Sequence, residues 1–212
     1  MTRGRFIVFE GGEGAGKSTQ ARLLAEALES RGIEVLLTRE PGGTPGAESI
    51  RALVLDPPGE GWLVSAEALL FAAARADHVA RAIRPALDAG RWVICDRFLD
   101  SSRAYQGGGG GLADQDILAL HRIGSDGLLP DVTFLLETAP EQVAGRLARR
   151  DGGETDAIGG RDAAYHAEVA GAFARFAESD PDRFVRIDGS GEIDATHRRV
   201  VDALAPLLED RQ

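Results

Sequence analysis

The sequence has one lysine among its 24 basic residues; the other 23 (24 minus that one) are arginines. It has one cysteine, Cys95, so no disulfide can close within the chain, and a reducing cytoplasm is expected. Cys95 ends the apolar run Trp92-Val93-Ile94-Cys95 and reads as a small core residue, with a reactive thiol as the weaker alternative. Basic residues are also scarce relative to the 34 acidic ones, leaving a net charge of -10. A field of that sign repels phosphate at long range, which argues against nucleic acid or a membrane surface as partner. No apolar run is long enough to cross a bilayer, and no signal-peptide core precedes the first apolar run, so a soluble, cytoplasmic protein is expected. The four histidines (His78, His121, His166 and His197) lack metal spacing and read as surface or packing residues. There is no G-x-S-x-G and no paired-cysteine site, so hydrolase and zinc chemistry have no support.

The one lysine is Lys17, and it stands in Gly11-Gly12-Glu13-Gly14-Ala15-Gly16-Lys17-Ser18. This fits G-x-x-x-x-G-K-[ST], the phosphate-binding P-loop. A compact ammonium can follow a backbone groove to a phosphate where a planar guanidinium cannot, so retention of lysine here alone adds weight to the match. The apolar run Phe6-Ile7-Val8-Phe9 precedes the loop, and a helical pattern from Ser18 to Arg31 follows it, as the motif requires. Backbone N–H groups of Gly14, Gly16 and Lys17 are placed to wrap a phosphate, with Ala15 and Thr19 beside them. Lys17 would bridge the terminal phosphates, and the Ser18 hydroxyl would ligate magnesium. Because the only lysine is in the loop, the base-reading N-K-x-D of GTPases is absent.

Beyond the loop, short apolar runs alternate with helical ones. Strands are expected at Ile33–Leu37, Trp92–Cys95, Val132–Leu136 and Phe184–Ile187. Helices are expected at Pro45–Leu55, Ala66–Ala89 with a break near Pro85, Asp114–Ile123, Glu141–Arg150, and Ile193–Leu208 bending near Pro206. This alternation predicts an α/β fold: one doubly wound five-stranded parallel sheet covered on both faces, in a single domain of residues 1–212. The glycine-bounded stretch Asp151–Gly160 reads as a short mobile flap.

Arg146, Arg149 and Arg150 lie at i, i+3 and i+4 before that flap, and Arg161 follows it. Such a face either closes over the charge of a phosphoryl transition state or is an ordinary solvated helix end favoured by the macrodipole. Asp96-Arg97 follows a strand, where the carboxylate can reach a magnesium–water cluster and the guanidinium can pair with a phosphate. Phe71 and Arg75, at i and i+4, offer a π-face and hydrogen-bond donors to a flat base, unless Phe71 is a plain core aromatic. Tyr105 and Gln106 precede Gly107–Gly111, a run where backbone could approach a ligand closely.

Taken together, Phe9–Thr19, Thr38-Arg39-Glu40-Pro41-Gly42-Gly43-Thr44-Pro45, Leu70–Arg75, Asp96-Arg97-Phe98 and Ser101–Gly107 resemble the thymidylate kinase family along nearly the whole chain. The resemblance implies a P-loop nucleoside monophosphate kinase-like fold with a lid near 146–161, ATP and magnesium as donor pair, dTMP as acceptor and a homodimer. It implies that Phe71 stacks on thymine, Arg75 reads the base edge, and Ser102 and Gln106 lie beside the base. Tyr105 would lie under the deoxyribose, and Arg97 would bind the acceptor phosphate with Arg39 and Glu40 near it. Glu13 matches the loop carboxylate near sugar and magnesium, Asp96 the metal position, and Gly11 and Gly12 the start of the ATP loop. The P-loop carries no arginine, like the bacterial branch, in which lid arginines serve instead; Arg146, Arg149 and Arg150 fit that role. Gly110 stands where relatives often have arginine. The reaction expected is transfer of the ATP γ-phosphoryl group to dTMP in dTTP synthesis; a P-loop kinase for another nucleotide or nucleoside is the alternative.

Overall fold

The structure, a computed structural model, describes residues 3–139, 142–143 and 156–209. Five strands form one parallel sheet: β1 (Phe6–Glu10), β2 (Val35–Arg39), β3 (Trp92–Asp96), β4 (Val132–Glu137) and β5 (Phe184–Asp188), in the order β2-β3-β1-β4-β5. β1 is central and pairs on both sides, with Phe9 level with Asp96 of β3 and with Phe134 of β4. Its first four side chains are fully buried and alternate between the two faces. Ile7 and Phe9 enter the core under α1 (Lys17–Glu29) and the C-terminal helix (Ile193–Glu209); Phe6 and Val8 enter the opposite core with Ile83, Leu87 and Ile117. This two-sided burial is why the strand reads as an unbroken apolar run.

The remaining helices among the described residues are α2 (Pro45–Leu55), α3 (Val64–His78), α4 (Arg84–Asp88), α5 (Leu99–Ser102), α6 (Asp114–Ser125) and α7 (Ala163–Ser179); the C-terminal helix is α8. The long helix expected at Ala66–Ala89 is α3 and α4 joined by a π-helical turn, Val79–Ile83. Pro85 sits in the first turn of α4 without an N–H to donate, and the widened turn before it absorbs that loss. β2 begins two residues later than expected. Ile33 is buried in the preceding loop, and pairing runs from Val35 with Trp92 to Arg39 with Asp96. α8 continues through Pro206. The expected helix Glu141–Arg150 lies outside the described residues apart from the helical pair 142–143, and so do Arg146, Arg149 and Arg150.

Part of the glycine run serves packing between helical segments. Gly107–Gly109 close a π-helical segment, Arg103–Gly109, that packs against α7. A Cβ on Gly108 would stand 2.6 Å from the Ala172 methyl group, and one on Gly109 would stand 2.5 Å from the Tyr165 ring. The glycines let two helical segments touch. A side chain at Gly110 would meet the Gln106 carbonyl at 2.6 Å and Val64 at 2.7 Å, so none fits there unless the backbone shifts.

Candidate active site

The C-terminal ends of β1, β2 and β3 open into a cavity of about 740 Å³, within the range of ligand sites. Its wall begins at Glu13 and follows the P-loop to Gln20; the far wall is Phe71, Arg75, Ser102, Tyr105 and Gln106 of α3 and the segments after β3. Gly11 and Gly12 precede the lining residues and shape the turn. Gly11 has φ +136°, and a Cβ there would lie 2.5 Å from the Leu136 carbonyl. Gly14 and Gly16 also take positive φ, so the loop curls back over the start of α1. That start has no side-chain cap and no acidic residue in its first turn, so its N–H groups and partial positive charge face the cavity.

Lys17 is the first residue of α1 and almost fully buried, with Nζ donating to the Gly12 carbonyl at 2.7 Å. Burial pulls its pKa down to about 8, and the Arg97 charge adds to this; Glu13, Asp96 and Glu10 pull the other way. Ser18 Oγ donates a short hydrogen bond to Asp96 Oδ2. Asp96 Oδ1 is buried and has no hydrogen-bond partner among the described residues. A hydroxyl beside a carboxylate oxygen with an unused lone pair, next to an anion loop, suits a magnesium ion that keeps most of its waters. Among the described residues no cluster of three acidic, histidine or cysteine ligands exists, so an all-protein metal cage is not what these residues build.

Arg97 follows β3 with φ +70°, a left-handed conformation that aims its side chain back over the P-loop. Its Nη1 donates to the Gly11 carbonyl at 3.1 Å and to Ser101 Oγ at 3.0 Å; its Nη2 donates to Glu13 at 2.5 Å and to Tyr105 Oη at 3.1 Å. Burial works against its charge, but Tyr105, Glu13, Asp96 and Glu10 more than offset it, so its pKa rises. Tyr105 Oη also donates to Glu13 at 3.3 Å, and burial raises the phenol pKa.

Arg75 is buried with Nε on Glu40 at 2.7 Å and Nη2 on the Phe98 carbonyl at 3.1 Å and Ser102 Oγ at 2.8 Å. Its Nη1 has no partner among the described residues and lies at the cavity wall. Glu40 spends its second oxygen on His78 Nδ1 at 3.1 Å, and His78 Nε2 meets Thr38 Oγ1 at 2.8 Å. Glu40 thus sets the Arg75 fork. Arg39 turns outward to Glu48 at 3.2 Å and forms the rim. Phe71, half-buried and one turn before Arg75, faces the same cavity.

A family model described as thymidylate kinase matches residues 9–200. The chain belongs to the thymidylate kinase family. It is 55% identical over 205 residues to the thymidylate kinase of Rhizorhabdus wittichii, covering 97% of this chain and 99% of that one. It is 48% identical over 207 residues to the thymidylate kinase of a Bradyrhizobium strain, ORS 278, covering 97% and 92%. The crystal structure of the Ehrlichia chaffeensis thymidylate kinase superposes with a TM-score of 0.75 at 35% identity, covering 96% of this chain and 99% of that one. The sheet is five-stranded and parallel, and the chain is a nucleotide-using kinase.

Several residues of this candidate site and its surroundings are not visible in sequence motifs. His78 is not a mere packing residue: it is fully buried in the polar chain Thr38–His78–Glu40. Arg51 of α2 lines the cavity, held by the Pro41 carbonyl at 2.8 Å, and burial lowers its pKa. Gly191–Ile193 and Thr196 close the cavity beyond the P-loop. Glu10, fully buried at the end of β1, accepts from the N–H groups of Phe98 at 2.9 Å and Ser101 at 3.0 Å, and from Ser101 Oγ at 2.6 Å. The one available signal was a carboxylate placed directly after four apolar strand residues.

Burial, and then the nearby Asp100, push the Glu10 pKa from 4.5 up to about 7. The folded chain therefore holds this proton more tightly than the unfolded chain. The associated stability is full below pH 4.5 and is lost as pH rises through about 7. Glu10→Gln keeps an acceptor for the two N–H groups and removes the titration. At pH 8 it should melt above wild type by several degrees, on the order of a few kcal/mol. Thermal melts at pH 8 and pH 5 check this: the gap should close at pH 5, and a variant melting below wild type at pH 8 contradicts it.

Proposed function

We propose that this chain transfers the γ-phosphoryl group of ATP to dTMP, giving dTDP and ADP. The observation that carries the reading is one cavity lined by the P-loop, by Phe71, Arg75, Ser102 and Gln106, and by Arg97. The donor phosphates lie in the loop of Gly11–Gly16 against Lys17, with Ser18 and Thr19 opening α1. The donor base extends toward Gly191–Thr196. The thymine stacks on Phe71, with Arg75, Ser102 and Gln106 at its edge, and Tyr105 under the deoxyribose. Arg97 takes the acceptor phosphate by exchanging its Glu13 and Tyr105 contacts for phosphate oxygens, and Arg39 and Arg51 add positive charge at the rim. Ser18 and Asp96 would hold magnesium, which would supply positive charge beside the donor phosphates.

A phosphate monoester has a second pKa near about 6, so the acceptor is largely dianionic at neutral pH. One of its oxygens forms the new bond to the γ-phosphorus while the bond to the β,γ-bridging oxygen breaks, and that electron pair leaves on ADP. No proton moves, so no general base is needed. Lys17 and Arg97 counter the mutual repulsion of the two anions. We place the segment 146–161 as a lid in the single domain, with Arg146, Arg149 and Arg150 closing over the transferred group and excluding water. Its described end contributes Asp156 and Ile158 to the cavity. No helix among the described residues is long and apolar enough to cross a membrane, which fits a cytoplasmic enzyme.

Coupled ADP-release assays with dTMP, dUMP, dCMP, GMP and thymidine test the acceptor. dTMP should give the highest kcat/KM, and no dTMP-dependent ADP release would end the reading. We also propose a homodimer through α3 and α6, which pack together and leave Leu69, Leu118 and Ile123 exposed. Ile123→Arg should then lower the mass seen by light scattering to that of one chain; a wild type already monomeric at micromolar concentration contradicts this.

A further inference from the structure

Glu67 is a buried carboxylate of α3, one turn before Phe71 and two before Arg75, so the three share a helix face. It is not among the cavity-lining residues, and nothing above uses it. Its Oε1 accepts from Gln106 Nε2 at 2.8 Å. Its Oε2 accepts a short hydrogen bond from Arg161, which stacks on the Tyr165 ring at 4.6 Å and donates to the Tyr165 hydroxyl at 2.5 Å. That hydroxyl donates in turn to the Tyr105 carbonyl at 2.9 Å. The carboxylate is therefore held from both sides.

A carboxylate only accepts hydrogen bonds, whereas an amide has one accepting and one donating end. With Glu67 taking its NH₂ group, Gln106 must turn its Oε1 the other way. Gln106 lines the cavity, and its Oε1 has no partner among the described residues. Arg75 Nη1, also unpartnered at the wall, offers donors. The wall therefore carries both a donor, on Arg75, and an acceptor, on Gln106. A pyrimidine with a carbonyl next to a ring N–H, as in thymine and uracil, matches both. Cytosine, with an amino group next to a bare ring nitrogen, opposes both.

We propose that Glu67 is a positioning residue for base selection, holding the Gln106 amide with its oxygen toward the cavity so that the site admits an N–H-bearing pyrimidine and rejects cytosine. This rests on reading the cavity as the dTMP site. Arg161 anchors the carboxylate from the residues just before α7.

The test is the ratio of kcat/KM for dTMP to that for dCMP, measured with the KM for ATP as control. Glu67→Gln offers Gln106 a partner that can donate or accept, which frees the amide to turn. The ratio should fall by at least about tenfold, since unpaired buried polar groups are what reject the wrong base. The KM for ATP should stay within twofold. Glu67→Asp keeps the charge for Arg161 but withdraws it from Gln106, and should shift the ratio the same way if Glu67→Gln does not fold. In a Gln106→Ala background, Glu67→Gln should change the ratio by less than twofold. An unchanged ratio in folded Glu67→Gln or Glu67→Asp overturns the proposal, and so does an equal fall in the Gln106→Ala background. Wild-type turnover of dTMP in the same assay tests the acceptor reading separately: activity with an unchanged variant ratio overturns only the role of Glu67, and absence of activity overturns both.

Discussion

Lys17→Ala should lower kcat by about 10³-fold or more while leaving the fold intact, because a charge aimed at the transferring phosphates acts mainly in the transition state. The side chain is buried at the start of α1 and, among the described residues, bonds to the Gly12 carbonyl alone. Burial already disfavours its charge, so removing it relieves a cost in the empty protein, and the melting temperature should not fall. Lys17→Arg separates charge from shape. The loop is closed around an ammonium, and a planar guanidinium overfills it, so this variant should lose nearly as much as the alanine variant. Single-turnover kinetics with saturating ATP and dTMP, alongside thermal melts, check both. Near-normal turnover in Lys17→Ala would remove the lysine from the transfer step.

Arg97→Ala should cost about 10² to 10³-fold in kcat/KM for dTMP, the size seen when one partner of a buried charge pair is truncated. The loss comes from two directions. The acceptor phosphate loses its paired donors, and Glu13 loses the guanidinium 2.5 Å away. With that positive charge gone, the Glu13 carboxylate repels an incoming phosphate more strongly. Arg97→Ala/Glu13→Gln should therefore recover part of the loss, at least about threefold. The KM for ATP should change far less than the KM for dTMP in the single variant. Steady-state kinetics with each substrate varied in turn measure this. Equal increases in both KM values would show that Arg97 holds the loop in shape and does not select the acceptor.

The P-loop, the helix after it and the alternation of strands were legible because each rests on neighbours within a few residues. Phe6–Phe9, the glycine spacing and Lys17 need no distant partner to be recognised. The i, i+4 pairing of Phe71 and Arg75 was readable for the same reason. Strand ends were less so: Ile33 looks like a strand residue by side chain, but pairing of β2 with β3 begins only at Val35. The glycine run was visible, but its purpose was not. The space above Gly108 and Gly109 is set by Ala172 and Tyr165 on a helix more than fifty residues later.

The order of residues alone established a phosphate loop, a parallel α/β scaffold and the kinase family, since periodicity and short motifs are local properties of a chain. The folded arrangement alone decided that Glu10 clamps the turn after Arg97, that His78 and Glu40 aim Arg75, and that Glu67 turns Gln106. Those contacts join residues from 35 to 91 positions apart. Which carboxylate meets which donor depends on strand order in the sheet, and hydrogen-bond geometry at that separation has no trace in local spacing.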